Sequence, residues 1–426
     1  MQYKIYTLGC KVNEYESEFM GFLLENHGYV KGENPDVVIV NTCTVTNTAD
    51  SKSRKIIRRV RKEYPNSILA VVGCMIQNKK ESDIDADIVL GNVNKSEIIT
   101  YIEEFNNEKI LDVRDMSDVP FENMNLDNFN LTRAYIKIQD GCDNYCSYCI
   151  IPYVRGHVRC KSRENVLSEA RSLVLNGHKE IVLTGIHTGN YHDGDYDFAD
   201  LLSDLVKIEG LKRLRISSVE ITELNDKFLD ILKKSPILVD HMHIPLQSGS
   251  DRILKLMNRK YDTKYFISKI KKIREIRPDI SITTDVIVGF PSETEEDFLE
   301  CIKTIKKVNF SKLHVFPYSD RDGTMASKMK SKVNGIIKKD RVKRLLSLSK
   351  ELEINYMNKF LDRSLVFIPE VYEDGYLIGH TGNYLLVKAK GDKKYLTKEV
   401  MITSKKVDYP YLISEVSVNN DWQCAL

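Results

Sequence analysis

Cys142, Cys146 and Cys149 place three thiols within eight residues of the run Gly141-Cys142-Asp143-Asn144-Tyr145-Cys146-Ser147-Tyr148-Cys149. The turn formers Gly141, Asp143, Asn144 and Ser147 let such a loop fold around one inorganic centre, so the stretch reads as a ligand cage. Structural zinc wants four N or S ligands, usually as two separated pairs, whereas Cys-x3-Cys-x2-Cys offers three in one loop and no paired fourth nearby. A cubane of four irons on three thiolates keeps one iron open to a small molecule. The plain alternative is a loop of buried or zinc-binding cysteines.

A second set is spread out. Cys10, Cys43 and Cys74 occur in Leu8-Gly9-Cys10, Asn41-Thr42-Cys43 and Val72-Gly73-Cys74, each just after a short apolar run. Taken singly, each is a small buried hydrophobe. Residues 4–9, 36–41, 67–72 and 87–90 are strand-like, with helical spacing between them, as for Tyr15, Phe19, Phe22 and Leu23, and this predicts a doubly wound parallel sheet. The carboxyl ends of such strands share one edge, where ligands bind, so the three cysteines can meet there as a second three-thiolate cluster.

The chain has 426 residues, 42% hydrophobic and 29% charged, long enough for roughly three domains. No apolar run approaches the roughly 20 residues of a spanning helix and no signal peptide precedes Met1-Gln2-Tyr3, so no membrane association and a cytoplasmic location are expected. Nine cysteines without an export signal favour metal or redox chemistry over disulfides. Residues 301–363 carry 16 Lys/Arg against 6 Asp/Glu, and residues 52–62 form a second basic block. Each suits a polyanion or, equally, a solvated helix face.

The predicted organisation is α/β in four parts: a sheet domain over 1–111 carrying the spread cysteines, a linker over 112–130, a second α/β domain over 131–362, and a small antiparallel β-barrel over 363–426. In the second domain, strands at 135–140, 180–185, 213–218, 241–246, 281–289 and 312–318 alternate with helices at 163–175 and 295–308, which implies a partial (β/α)6 barrel with its site at the carboxyl ends of the strands. The loops there carry Thr184, Gly185, Ser218, Glu220, Gln247 and Ser248, groups suited to an amine, a carboxylate, a ribose and an adenine. His187, His241, His243 and His314 near strand ends read as structural. Cys301 shares a helical stripe with Phe298, Ile302 and Ile305, while Cys160 and Cys424 lack ligand spacing. Residues 338–360 read as a basic amphipathic helix leading into strands at 365–368, 376–380, 384–387 and 411–413. That last domain holds 7 Lys against 8 Asp/Glu, so any RNA affinity must come from a local stripe such as Lys388, Lys390, Lys393 and Lys394 or from the preceding helix.

The cysteine loop, with Tyr148 before its last Cys, resembles the signature of the radical S-adenosylmethionine (SAM) enzymes. Leu8-Gly9-Cys10-Lys11-Val12-Asn13, Asn41-Thr42-Cys43-Thr44-Val45-Thr46, Gly73-Cys74-Met75-Ile76-Gln77, Asp140-Gly141-Cys142, Phe290-Pro291-Ser292-Glu293-Thr294 and Phe316-Pro317-Tyr318-Ser319 extend this to the whole chain. It resembles the radical-SAM methylthiotransferase family, which implies a flavodoxin-like N-terminal domain, a radical-SAM barrel and a C-terminal TRAM domain. The resemblance implies two 4Fe-4S clusters, one on Cys142, Cys146 and Cys149 with SAM, the other auxiliary on Cys10, Cys43 and Cys74. It also implies SAM contacts from Tyr148 and the loop residues above, an electron donor such as flavodoxin or ferredoxin, and tRNA as partner. Lys11-Val12-Asn13 and Thr44-Val45-Thr46 resemble the branch that converts N6-threonylcarbamoyladenosine at position 37, beside the anticodon, to its 2-methylthio form. The branches acting on N6-isopentenyladenosine or on a ribosomal-protein aspartate are the alternatives, and an iron–sulfur electron carrier or RNA-binding protein is the non-catalytic one. One departure is Gly156-His157-Val158-Arg159-Cys160, where relatives usually carry Arg and Ser at the His157 and Cys160 positions.

Overall fold

The computed structural model describes residues 1–79 and 84–417. Six parallel strands form the N-terminal sheet, in the spatial order Val30–Lys31, Gln2–Thr7, Val37–Thr42, Ile68–Gly73, Ile88–Leu90 and Ile110–Asp112. Numbered along the chain this is the 2-1-3-4-5 order of flavodoxin-like sheets with one strand added. Every residue of Val37–Thr42 is buried, as expected for a central strand covered by helices on both faces. The two outer strands are additions to the sequence reading: two and three residues long, they are too short to produce a pattern.

The central region curves as two three-stranded parallel sheets. Glu180–Thr184 lies between Arg133–Lys137 and Arg213–Ile216, and Ser281–Val288 lies between His241–His243 and Lys312–Pro317. The seam between them is bridged at Leu214 and Leu238 and by the Val219 amide donating to the His243 carbonyl at 3.1 Å. The fourth strand stops at His243, shorter than the apolar run to Leu246, because Pro245 has no N–H for the ladder; the chain rejoins at Gln247 opposite Val286. The first strand also breaks early. Arg133–Lys137 stays in the sheet, and Gln139–Asp140 turns out to pair with Arg159–Cys160, closing the base of the cysteine loop.

Residues 112–130 contain no helix or strand beyond Asp112, yet they form a packed strap. Met116, Met124, Leu126 and Phe129 are buried, and the Met124 carbonyl accepts Tyr15 Oη and Lys161 Nζ, each at 2.5 Å. Tyr15 and Phe19 of the helix Lys11–Asn26 join the same apolar cluster as the barrel strands, so the first two regions share a core.

The helix Gly335–Asn358 leads into a closed barrel of five strands: Ser364–Glu373, Tyr376–Thr381, Leu386–Lys390, Tyr411–Val416 and Val400–Asp408. The last was missed in the sequence because Thr403-Ser404-Lys405-Lys406 breaks the apolar alternation, and its register shifts between Ser404 and Lys406. Tyr384 does not begin a strand. It sits in the left-handed region at φ +66°, in the turn before Leu386. Among the described residues no helix is long and apolar enough to cross a membrane.

Candidate functional site

The fold brings the spread cysteines to one edge. Cys10 caps the helix Lys11–Asn26, Cys74 opens the helix Cys74–Lys79, and Cys43 follows the strand Val37–Thr42, so all three stand where strands give way to helices. Helix N-termini favour thiolates. Gly9, at φ +108°, allows the close approach: a Cβ there would lie 2.9 Å from the Cys43 Cβ. Asn13 fixes the edge, donating from Nδ2 to the carbonyls of Leu8 at 2.7 Å and Thr42 at 2.9 Å. Burial pushes the Cys43 thiol up to about 11, so its proton must leave when a metal binds.

Arg155 ties this edge to the barrel. Fully buried, it donates from Nε to Cys74 Sγ at 3.3 Å, from Nη1 to Glu16 at 2.9 Å and Asp140 at 3.0 Å, and from Nη2 to Asn13 Oδ1 at 2.8 Å. Lys137 bridges the same two carboxylates at 2.8 and 2.7 Å, and Lys95 reaches Glu16 at 2.5 Å. Burial alone would raise both carboxyls; Arg155 and Lys137 reverse it and hold Glu16 and Asp140 below the usual carboxylate range. Asn13, Glu16 and Lys95 belong to the sheet region, Lys137, Asp140 and Arg155 to the barrel, so the web crosses between them.

The loop cysteines are held by their own turn. The Cys142 amide donates to Gly156 at 3.0 Å, Cys149 to Cys146 at 2.9 Å, and Ser147 to Met257 at 3.0 Å. Arg259 donates to Cys146 Sγ at 3.3 Å and pairs with Glu220. His187 Nδ1 stands 3.8 Å from Cys142 Sγ, and Glu223 meets its other nitrogen. Burial opposes a charge on His187, but Cys142 and Glu223 outweigh it and push its pKa up to about 10. Burial, then neighbouring Cys146, lifts the Cys149 thiol to about 12.

The triads are adjacent. Cys74 packs in one apolar cluster with Ile150 and Val154, directly beyond Cys149. Among the described residues no three Cys, His, Asp or Glu side chains converge tightly enough for a single metal ion. Three thiols apiece, with one arginine donating to a sulfur in each triad, suit iron–sulfur clusters better than four-ligand zinc.

The other sequence-derived site residues gather on the loop side of the barrel. Tyr148 packs with Ile253, Met257, Phe290 and Tyr318 beside the cysteine loop. Buried Thr184 ends the second strand and Gly185 follows it, where a Cβ would lie only 3.0 Å from Gln139 Oε1. Glu220 is engaged by Arg259, and Ser218 lies on the same loop. Gln247 adopts φ +62°, and the Oγ of buried Ser248 accepts the Ser250 amide at 3.3 Å. Cys301 is in the core, accepting the Gly249 amide at 3.2 Å; Cys160 accepts the His192 amide at 3.4 Å; Cys424 lies outside the described residues. His157 pairs with Asp143 of the cysteine loop at 2.5 Å, and both are exposed.

Arg155, Arg259, Glu16 and Lys137 were missed in the sequence. Lys137 alone carries a plain signal, a charge inside the apolar run Tyr135-Ile136-Lys137-Ile138, whereas Glu16 and Arg259 stand among other polar residues. Arg321 was missed too. It reaches back to the sheet region, donating to Asn47 at 2.7 Å, Asp50 at 2.9 Å and Thr44 at 2.7 Å.

The Radical SAM superfamily profile matches residues 136–305, and that of Uncharacterized protein family UPF0004 matches residues 2–91. The chain is 41% identical, over 95% of its length and 94% of the relative's, to the threonylcarbamoyladenosine tRNA methylthiotransferase MtaB of Bacillus subtilis (strain 168). It is 37% identical to the protein of the same name from Thermotoga maritima, over 92% of each chain, and 35% identical to a tRNA-2-methylthio-N(6)-dimethylallyladenosine synthase of Clostridium botulinum (strain Loch Maree / Type A3), over 94% of each. Among solved structures, the radical SAM methyltransferase TsrM from Kitasatospora setae shares the fold at a TM-score of 0.55 and 14% identity, covering 74% of this chain and 72% of that one.

Proposed function

This chain belongs to the tRNA methylthiotransferases of the radical SAM superfamily, and we propose that it places a methylthio group on C2 of N6-threonylcarbamoyladenosine at position 37 of tRNA, beside the anticodon. The observation that carries the chemistry is the adjacency of two three-thiol sites, Cys74 packed on Ile150 and joined through Arg155 to Asp140 at the base of the cysteine loop. The identity to the threonylcarbamoyl-specific relatives carries the substrate.

Cys142, Cys146 and Cys149 would hold the cluster that binds SAM, and Cys10, Cys43 and Cys74 the auxiliary one. When bound, these groups supply reductive cleavage of SAM and the transferred sulfur. Arg259 and Arg155 each donate a hydrogen bond to one ligand sulfur and compensate negative charge there. Ile150 and Val154, buried against Cys74, keep water from that side of the sheet-edge thiols. Tyr148 and the loops of Thr184, Gly185, Ser218, Glu220, Gln247 and Ser248 line the side of the barrel where SAM would lie. The RNA contacts are assigned to the C-terminal barrel, where Lys388 lies over the rings of Tyr376 at 4.6 Å and Tyr411 at 5.7 Å, with Lys390 on the same strand. The anticodon loop offers an unstacked base, and a flavodoxin or ferredoxin in the cytoplasm is the assigned reductant.

The test is nucleoside mass spectrometry of tRNA from cells with and without the gene. Loss of 2-methylthio-N6-threonylcarbamoyladenosine, with its unthiolated precursor retained, is expected. Loss of the methylthio-isopentenyl nucleoside instead would overturn the substrate assignment.

A further inference from the structure

A cavity of about 250 Å³ lies between the barrel strands, the first helix and the C-terminal barrel, lined among others by Lys11, Arg215, Ser217, His241, Thr283 and Tyr384. Its volume is below the roughly 300–1,000 Å³ of sites that take a whole drug-sized ligand, so it suits an appendage. It adjoins the chemistry on two sides, because Lys11 follows Cys10 and Ser217 precedes Ser218. Tyr384 closes the third side, its ring stacked on His241 at 4.7 Å and His380 at 4.6 Å, with the Arg215 guanidinium 4.8 Å from its centre.

Positive charge here outnumbers the carboxylates left to balance it. Arg215, 2% exposed, uses Nε on Glu180 at 2.6 Å, while its Nη1 and Nη2 are buried without a hydrogen-bond partner. Glu180 is shared with Arg213 at 3.4 Å, so one carboxylate faces two guanidiniums. Lys11 has no hydrogen bond or ion pair among the described residues, and His241 Nδ1 is also buried and unpartnered. The nearby acids are engaged: Glu353 with Lys312 at 2.8 Å, Asp285 with His243 at 3.3 Å, and Glu370 with Arg133 at 3.1 Å and His380 at 2.7 Å. A buried guanidinium with free Nη donors is costly unless a planar anion fills its fork.

We propose that this cavity is the specificity pocket for the substrate's modification, with Arg215 and Lys11 binding the threonyl carboxylate of N6-threonylcarbamoyladenosine. The proposal rests on the substrate reading above and deepens it. An adenosine carrying a neutral hydrocarbon group leaves those donors unpaired, so discrimination comes from desolvated cations as well as from fit. Because Tyr384 comes from the C-terminal barrel, the RNA-binding domain completes the wall of the pocket.

The test uses reconstituted holoenzyme, kept anaerobic, and three anticodon stem-loops carrying N6-threonylcarbamoyladenosine, its threoninamide analogue, or plain adenosine. Fluorescence anisotropy reads binding, and methylthio product is read separately. The wild-type protein should bind the acid about tenfold more tightly than the amide. Lys11→Gln should remove most of that preference while leaving amide and plain RNA affinities unchanged, and Arg215→Lys, which keeps the charge but not the fork, should remove part of it. Equal wild-type affinity for acid and amide, or an undiminished preference in both variants, would overturn the pocket. So would equal weakening of all three RNAs by Lys11→Gln, which would make the anion a backbone phosphate. If the wild-type protein thiolates none of them, it is the substrate reading that fails.

Discussion

Cys142, Cys146 and Cys149 come from one loop, whereas Cys10, Cys43 and Cys74 come from three strand ends about thirty residues apart in the chain. The loop site is shaped by its own turns, Cys149 bonding to Cys146 and the Cys142 amide to Gly156, with Ser147 and Arg259 tying the formed loop to the distant Met257 segment. The sheet-edge site exists only when the sheet is folded, and its Cys74 is engaged by Arg155 from the neighbouring region. One centre is therefore a local motif placed on a scaffold, and the other is a property of the scaffold itself. Damage to the loop should stay in the loop, while damage to the sheet edge should spread to the interface.

The sharpest way to break that contrast is to remove one thiol from each. Cys146→Ala should abolish both 5′-deoxyadenosine formation and methylthio product, because it removes a ligand from the centre that holds SAM. Cys43→Ala should retain reductive cleavage of SAM and make no methylthio nucleoside. The assay is anaerobic, with dithionite, SAM and tRNA, and both products are read by chromatography. Full methylthiolation by Cys43→Ala would make the sheet-edge cysteines structural.

Next in size is the pair of arginines. Arg155→Met leaves Glu16 and Asp140 to Lys137 and Lys95, takes one cation from a buried web and cuts its bonds to Asn13 and Cys74, a loss of roughly 3 kcal/mol. Arg259→Met strands only Glu220, which is 17% exposed, so its cost should be smaller. Chemical denaturation of the two variants should rank them in that order, with iron lost from the sheet-edge centre in Arg155→Met. Equal destabilisation would mean that Arg155 does not hold the interface.

A glycine gives a more local cut. Gly141 sits at φ +73°, and a Cβ there would fall 1.9 Å from the His157 carbonyl oxygen, a backbone atom that cannot swing aside. Gly141→Ala should therefore open the clasp between Gln139–Asp140 and Arg159–Cys160 and roughly halve the bound iron, sparing the sheet edge. Loss of iron from both centres would argue against the loop's independence.

The same local and nonlocal division decides how much could be read from the sequence. The loop triad was legible from spacing alone. The sheet-edge triad was legible once the apolar runs were read as parallel strands, since strand order puts the carboxyl ends on one edge whatever the side chains do. Arg155 and Arg259 were not legible, because their partners lie 139 residues (Glu16) and 113 residues (Cys146) away in the chain and no periodicity records such a pairing. The packing of the linker was not legible for a related reason: Met116, Met124, Leu126 and Phe129 bury themselves without a helical or strand period. Tyr384 looked like the start of a strand because an aromatic before two leucines has that pattern, and only the closed barrel shows it held in a turn against His241.

The smallest expected effect bears on whether the loop centre is open. Cys160 lies on the strand that clasps the loop, paired with Gln139, and is the nearest remaining cysteine in sequence to Cys149. A fourth thiolate there would close the cubane and leave no iron for SAM. Its sulfur accepts the His192 amide at 3.4 Å and lies 3.9 Å from the His192 ring, an occupation unconnected with the loop. Burial, the largest influence on it, pushes the thiol up to about 11, as befits a protonated side chain. Cys160→Ser should therefore change stability by no more than about 0.5 kcal/mol and retain about eight irons, with SAM cleavage at the wild-type rate. If the variant instead loses about four irons, or cleaves SAM faster because an iron has been freed, the loop site is a four-thiolate centre and the three-cysteine comparison fails on that side.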